Sequence, residues 1–98
     1  MWTDTACKAL SEGRVLELRY DGYIRCVEVH AVGWSKEGNA IMRCWQISGG
    51  SVSGEPIGWK LMRLDEAIGA VISARRSDAP RAGYRHNDRA MRRIACQL

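Results

Sequence analysis

Two arginines in this sequence occupy positions where a charge needs an explanation. If Ala40 to Ile47 forms a strand, Arg43 shares its parity with Ile41, Trp45 and Ile47. If Trp59 to Leu64 forms another, Arg63 shares its parity with Trp59 and Leu61. A guanidinium on an otherwise apolar and aromatic face has to meet an anion. That anion is either internal, such as the carboxylate of Glu28 or Asp65, or external, such as a phosphate. The residues alone leave both open. Arginine accounts for twelve of the 15 basic side chains, and its planar fork suits phosphate and carboxylate alike. Seven of them, Arg75, Arg76, Arg81, Arg85, Arg89, Arg92 and Arg93, fall within residues 75–98. They could neutralise several phosphates or simply form a solvated face. Arg81-Ala82-Gly83-Tyr84 reads as a loop and is the tail motif expected to touch the rest of the fold or a ligand. Trp34, in a Gly-Trp-Ser-Lys connection, is expected to be exposed and suited to stacking on a base. Trp45 and Trp59, inside strands, are expected in the core.

Other chemistry has little support. Neither His30 nor His86 has an Asp or Ser placed beside it by a recognised motif. Gly49-Gly50 with Gly54 lacks the strand-to-helix context of a nucleotide fingerprint, and no phosphate loop with its lysine occurs. No enzyme activity and no cofactor are expected. Cys7, Cys26, Cys44 and Cys96 stand far apart with no C-x-x-C pair, which argues against a metal site. Cys26 and Cys44 lie in β-rich apolar runs, and the cysteines are read as reduced core residues.

The elements that must carry these residues read as follows. Thr3 or Asp4 caps a short helix, Thr5 to Glu12, ended by Gly13. Val15 to Tyr20 then alternates with period two, Asp21-Gly22 is a two-residue turn signal, and Tyr23 to His30 is a second β-rich run, together a hairpin. After the turn-rich stretch Val32 to Asn39 comes the strand Ala40 to Ile47. Ser48 to Gly58 is a glycine- and serine-rich loop, and Trp59 to Leu64 and Ala67 to Ser73 supply a fourth and a fifth strand. In the tail, Asn87 or Asp88 is expected to cap a helix over Arg89 to Leu98, with Met91, Ile94 and Leu98 on its docking face. The expected fold is therefore mainly β: five short strands closed into a small barrel, with a helix at each end.

Length and charge set the frame. With 98 residues, 46% apolar and 27% charged, the chain has the composition of one folded domain rather than of a disordered segment. It has neither a spanning apolar run nor a signal peptide, so it is read as cytoplasmic with no membrane association. Residues 1–74 hold 8 basic and 9 acidic side chains, and residues 75–98 hold 7 and 2. The formal net charge of +4 thus belongs to the tail, whereas the rest is nearly neutral. Residues 1–74 are assigned to the barrel and 75–98 to a basic segment packing on it, a single domain overall.

The stretch from Leu10 to Ile72 resembles the WYL domain, a small Sm-like (SH3-like) barrel found mostly in bacterial transcription regulators and in proteins associated with phage defence. The likeness rests on Leu16-Glu17-Leu18-Arg19-Tyr20 with Arg25-Cys26-Val27-Glu28-Val29-His30, on Gly38-Asn39-Ala40-Ile41-Met42-Arg43-Cys44-Trp45, and most specifically on Lys60-Leu61-Met62-Arg63-Leu64-Asp65. The naming tripeptide falls on Ala40, Ile41 and Met42, so its aromatic residues are missing. The family's usual helix-turn-helix has no counterpart ahead of the match. The resemblance implies a basic ligand surface at Arg25, Arg43, Lys60 and Arg63, to which the residues themselves add Trp34 and Arg81. The expected function is a ligand-sensing or regulatory module binding nucleic acid or a nucleotide-like anion. The alternative is a module for protein interaction or self-association whose arginines form structural ion pairs.

Overall fold

The structure, a computed structural model, describes residues 2–98. Helix α1 (Trp2–Glu12) leads into strands β1 (Arg14–Tyr20), β2 (Tyr23–Trp34), β3 (Ala40–Gly49) and β4 (Gly58–Arg63). A single 3-10 turn, Leu64–Glu66, precedes β5 (Ala70–Arg76), and β6 (Arg93–Gln97) closes the chain. All pairings are antiparallel, in the order β4-β3-β2-β1-β5, with β6 on β2. No ladder joins β4 to β5 among the described residues. No described helix is long and apolar enough to cross a membrane. The boundary expected at residue 74 falls inside β5, so the tail proper begins after Arg76.

The long strand β2 organises everything else. Along one edge it pairs with β3 through Arg25–Trp34. Along the other it pairs first with β1, through Tyr23–Val27, and then with β6, through Ala31–Trp34. Between those two partners the ladder to β3 slips, Val29 opposing Cys44 and Ala31 opposing Arg43, so that His30 is the extra residue of a β-bulge. The bulge re-aims the strand: Val27 and Val29 before it, and Val32 after it, all enter the main core. That core also takes Leu16 and Leu18 of β1, Met42 and Cys44 of β3, Met62 and Leu64, and Ala6 and Ala9 of α1. The Trp2 indole N–H donates to the Ala67 carbonyl at 3.0 Å, fixing the start of α1 against the 3-10 turn.

Two expectations are corrected. The helix expected over Arg89 to Leu98 is absent; Asp88 caps only a single turn, its Oδ1 accepting the Ala90 N–H, before the chain enters β6. An isolated ten-residue helix is marginal in water. The edge of β2 that β1 vacates, by contrast, offers backbone groups that must be paired. A sixth strand satisfies them. The close approach also explains Gly33, where a Cβ would lie 2.2 Å from the Arg93 carbonyl oxygen. The second correction concerns the cysteines. Cys7 of α1 and Cys96 of β6 form a disulfide across 89 positions, whereas Cys26 and Cys44 are free thiols. The pairing follows from α1 lying against β6, a tertiary contact that spacing along the chain does not reveal. The Cα atoms stand 5.9 Å apart, within the usual range for a disulfide. Burial pushes the Cys44 thiol up to about 12.

Candidate ligand cleft

Side chains of opposite parity to the core line the other face of β2, β3 and β4 in three cross-strand rows. These are Glu28–Trp45–Trp59, Ala31–Arg43–Leu61 and Gly33–Ile41–Arg63. Apart from Glu28 and the two arginines, this face is aromatic and apolar, and it is too large to leave bare. Residues 77–92 form a strap across the β2 and β3 part of it, while Leu61 at the β4 edge stays exposed. Arg81 reaches the first row, Asp88 the second, and Met91 packs with Ala31 and Ile41 in a small second core. The neutral sheet and the basic tail, distinct in the sequence, are therefore two halves of one structure.

The first fastening is buried. Glu28, 1% exposed, accepts from Arg81 Nε at 2.6 Å and Nη2 at 3.2 Å, and from the Asp78 backbone N–H at 2.6 Å. Burial alone would raise its carboxyl, but the hydrogen bonds from Arg81 and Asp78 outweigh it and hold Glu28 below the ordinary value. Arg81 also lies 5.6 Å from the centroid of the Trp45 ring. His30, fully buried, takes the strap by its backbone. Its Nε2 accepts the Arg81 N–H at 2.9 Å, which leaves the hydrogen on Nδ1 to donate to the Glu28 carbonyl at 2.9 Å. Burial lowers its pKa, and the neutral tautomer is the one this geometry requires. The second fastening is Arg43 to Asp88, at 2.6 Å and 3.3 Å. The hydrogen bond from Arg43 holds Asp88 below its ordinary value.

The pH dependence follows from those directions. His30, Glu28 and Asp88 all have folded values below their unfolded ones, so the unfolded chain binds more protons over the relevant range and stability falls on acidification. The contribution of His30 is present above its ordinary value of 6.5. Those of Glu28 and Asp88 are present above 4.5 and 3.8 and disappear further down. Thermal unfolding followed from about pH 8 to about pH 4 should show a plateau above neutrality and a midpoint that drops below it. A midpoint unchanged over that span would contradict the strap's dependence on a neutral His30.

The residues expected to form a ligand surface do not converge. Arg25 is 3% exposed and lies on the core side. It donates to the Tyr20 carbonyl and to Gln46 Oε1, with its guanidinium 5.2 Å and 5.7 Å from the ring centroids of Tyr20 and Tyr23. Lys60 opposes Cys44 and ties down the loop between β3 and β4, donating to Ser51 and Ser53 hydroxyls and the Glu55 carbonyl. Arg63 is on the strap face but forks onto Asp65, at 3.1 Å and 2.6 Å, and also reaches Glu66 and Asn39. Trp34 ends β2 half-buried, with the Arg93 guanidinium 4.2 Å from its ring centroid, rather than projecting from a loop. Trp45 and Trp59 are half-buried beneath the strap and outside the main core.

What does converge is a cleft of about 530 Å³ where the sheet meets the strap, lined by Arg43, Trp59 and residues 83–89. Its one acidic side chain, Asp88, is already held by Arg43. Arg85 and Arg89 are exposed, and among the described residues no carboxylate lies within 4.0 Å of either. His86 has both ring nitrogens occupied, Nδ1 at 2.8 Å from the Leu98 carbonyl oxygen and Nε2 at 3.3 Å from the Gln97 amide. The cleft thus presents aromatic surface and two guanidinium groups without internal acids. Of its residues the sequence singled out Arg43 as a site residue, the loop motif containing Tyr84 as a contact, and Arg85 and Arg89 only as members of a basic tail. No family model, no curated protein and no solved structure matches this chain.

Proposed function

We propose that this chain is a non-catalytic ligand-sensing or regulatory module that binds an anion, a nucleic acid or a nucleotide, in the cleft between Trp59 and residues 83–89. The observation that carries the reading is the pairing pattern of the arginines. Arg43, Arg63 and Arg81 are neutralised by the fold's own carboxylates, whereas Arg85 and Arg89 have none among the described residues and, of the arginines without one, are the two that line the cleft. A cleft of this size suits a small ligand or one unit of a longer one. The WYL-like pattern in the sequence agrees in class. A helix followed by strands in the order β4-β3-β2-β1-β5 around a long bent β2 supports the Sm-like small-barrel reading. A role in transcription regulation or phage defence extends that resemblance.

Fluorescence anisotropy with labelled single-stranded DNA, RNA and nucleotides, at low and high salt, tests the proposal. The double variant Arg85→Ala/Arg89→Ala should weaken binding by about tenfold or more. It should also flatten the log–log salt slope by about 1.4, the share of two lost phosphate contacts on a single strand. Binding unaffected by the double variant, or no binding at any salt, would sink it. The alternative, a self-association or protein-interaction module, is favoured by the internal ion pairs of Arg43, Arg63 and Arg81. Light scattering separates the two, since that alternative requires a species larger than the monomer or a captured partner.

A further inference from the structure

The cleft holds a pair of rings as well as charges. Trp59 and Tyr84 both line it, their planes 28° apart and their centroids 6.5 Å apart. At that separation the two rings pack on one another as an offset pair, and both still present surface to the cleft. Both walls are braced. Trp59 meets Trp45 edge-on at 5.4 Å and His30 edge-on at 4.6 Å. Tyr84 rests 5.2 Å from His30, and its hydroxyl donates to the Leu98 carbonyl at 3.1 Å. His30 packs against both rings from within, and its two ring nitrogens are committed to Glu28 and Arg81, so it reads nothing polar. Gly83 keeps the wall thin: a Cβ there would come within 3.3 Å of Trp59 Nε1. On the same rim stand Arg85 and Arg89.

Resting on the anion-binding reading above, we infer that the cleft recognises a nucleobase carrying a phosphate, the base stacking on the aromatic surface that Tyr84 and Trp59 turn to the cleft and the phosphate falling on Arg85 and Arg89. A simple anion would use the arginines and leave the rings idle. A neutral aromatic would use the rings and leave the arginines idle. Their placement on one opening selects a ligand with both features. That chemistry can come from a free nucleotide or from one nucleotide of a single strand, for which base–aromatic stacking is the sequence-tolerant contribution to binding.

The test compares adenosine 5′-monophosphate, ribose 5-phosphate and a six-residue oligoadenylate by isothermal titration calorimetry, on the wild-type chain and on Tyr84→Ala and Tyr84→Phe. The monophosphate is expected to bind about tenfold or more tightly than ribose 5-phosphate, the effect of one base–aromatic stack. Tyr84→Ala should erase that advantage, and Tyr84→Phe, which keeps the ring and loses the hydroxyl, should retain it. Binding of the oligomer with the same dependence on the ring, and tighter than the monophosphate, assigns the site to a strand. Equal binding to the monophosphate assigns it to a free nucleotide. Ribose 5-phosphate binding as tightly as the monophosphate, with Tyr84→Ala silent, would overturn the stacking contact while leaving an anion site. No binding of any probe would overturn the anion-binding reading as well.

Discussion

Replacing Cys7 and Cys96 together by serine is expected to cost about 4 kcal/mol of unfolding free energy, the largest effect of any substitution considered. The bond joins α1 to β6 over 89 positions, and removing a link across a loop of that size returns about 4 to 5 kcal/mol of chain entropy to the unfolded state. The effect should also be local before it is global. β6 meets β2 through only four residue pairs, Ala31 to Trp34. Without the tether, its amides should exchange hydrogen faster than those of the β1–β2 and β2–β3 ladders. Urea denaturation of the oxidised wild type and the double-serine variant, with hydrogen exchange on both, checks this. Equal midpoints with uniform protection would mean that the link adds nothing to the docking of β6.

The second large effect belongs to Glu28. Glu28→Gln keeps the shape of the side chain but sets an amide against a guanidinium and a backbone N–H that both donate. Losing charge-assisted hydrogen bonds at a buried site and leaving a donor facing donors costs about 2 to 3 kcal/mol. The strap should loosen with it, because Arg81 also delivers its backbone N–H to His30 and its guanidinium to Trp45. The expected result is a lower urea midpoint together with a change in tryptophan emission, since Trp45 and Trp59 lie under the strap. Glu17→Gln, on the exposed outer side of β1, should do neither. A Glu28→Gln variant as stable as that control would mean that the strap is held by its apolar contacts alone.

Much of the sheet was legible because strand periodicity and turn chemistry are local. Asp21, with φ of 50°, and Gly22, with φ of 80°, form the turn that the dipeptide signals. Val15, Leu16 and Leu18, and Met42 and Cys44, are buried in their strands. The tail was not legible, for two physical reasons. Met91, Ile94 and Leu98 are too few to distinguish a helix from a strand, and what decides between them is the vacant edge of β2, a tertiary feature. Parity correctly placed Arg43 and Arg63 among apolar neighbours, but it could not name their partners. Asp65 lies two residues from Arg63 and was visible as a candidate, whereas Asp88 comes to Arg43 from 45 positions away. Glu28 was visible as an internal partner for Arg43 or Arg63, but the arginine it takes is Arg81, from the loop motif expected to touch the rest of the fold or a ligand. The cleft is assembled across those same long-range contacts, which is why Trp59 and Tyr84 carry no joint signal in the sequence.

A heteronuclear NMR titration of the ¹⁵N-labelled chain with the six-residue oligoadenylate locates binding most directly. The account predicts shifts concentrated at the Trp59 indole N–H, the backbone of residues 83–89 and the Arg43 side chain. Shifts centred instead on Arg25, Lys60 or the loop between β3 and β4, or a spectrum unchanged at saturating oligomer, would contradict it.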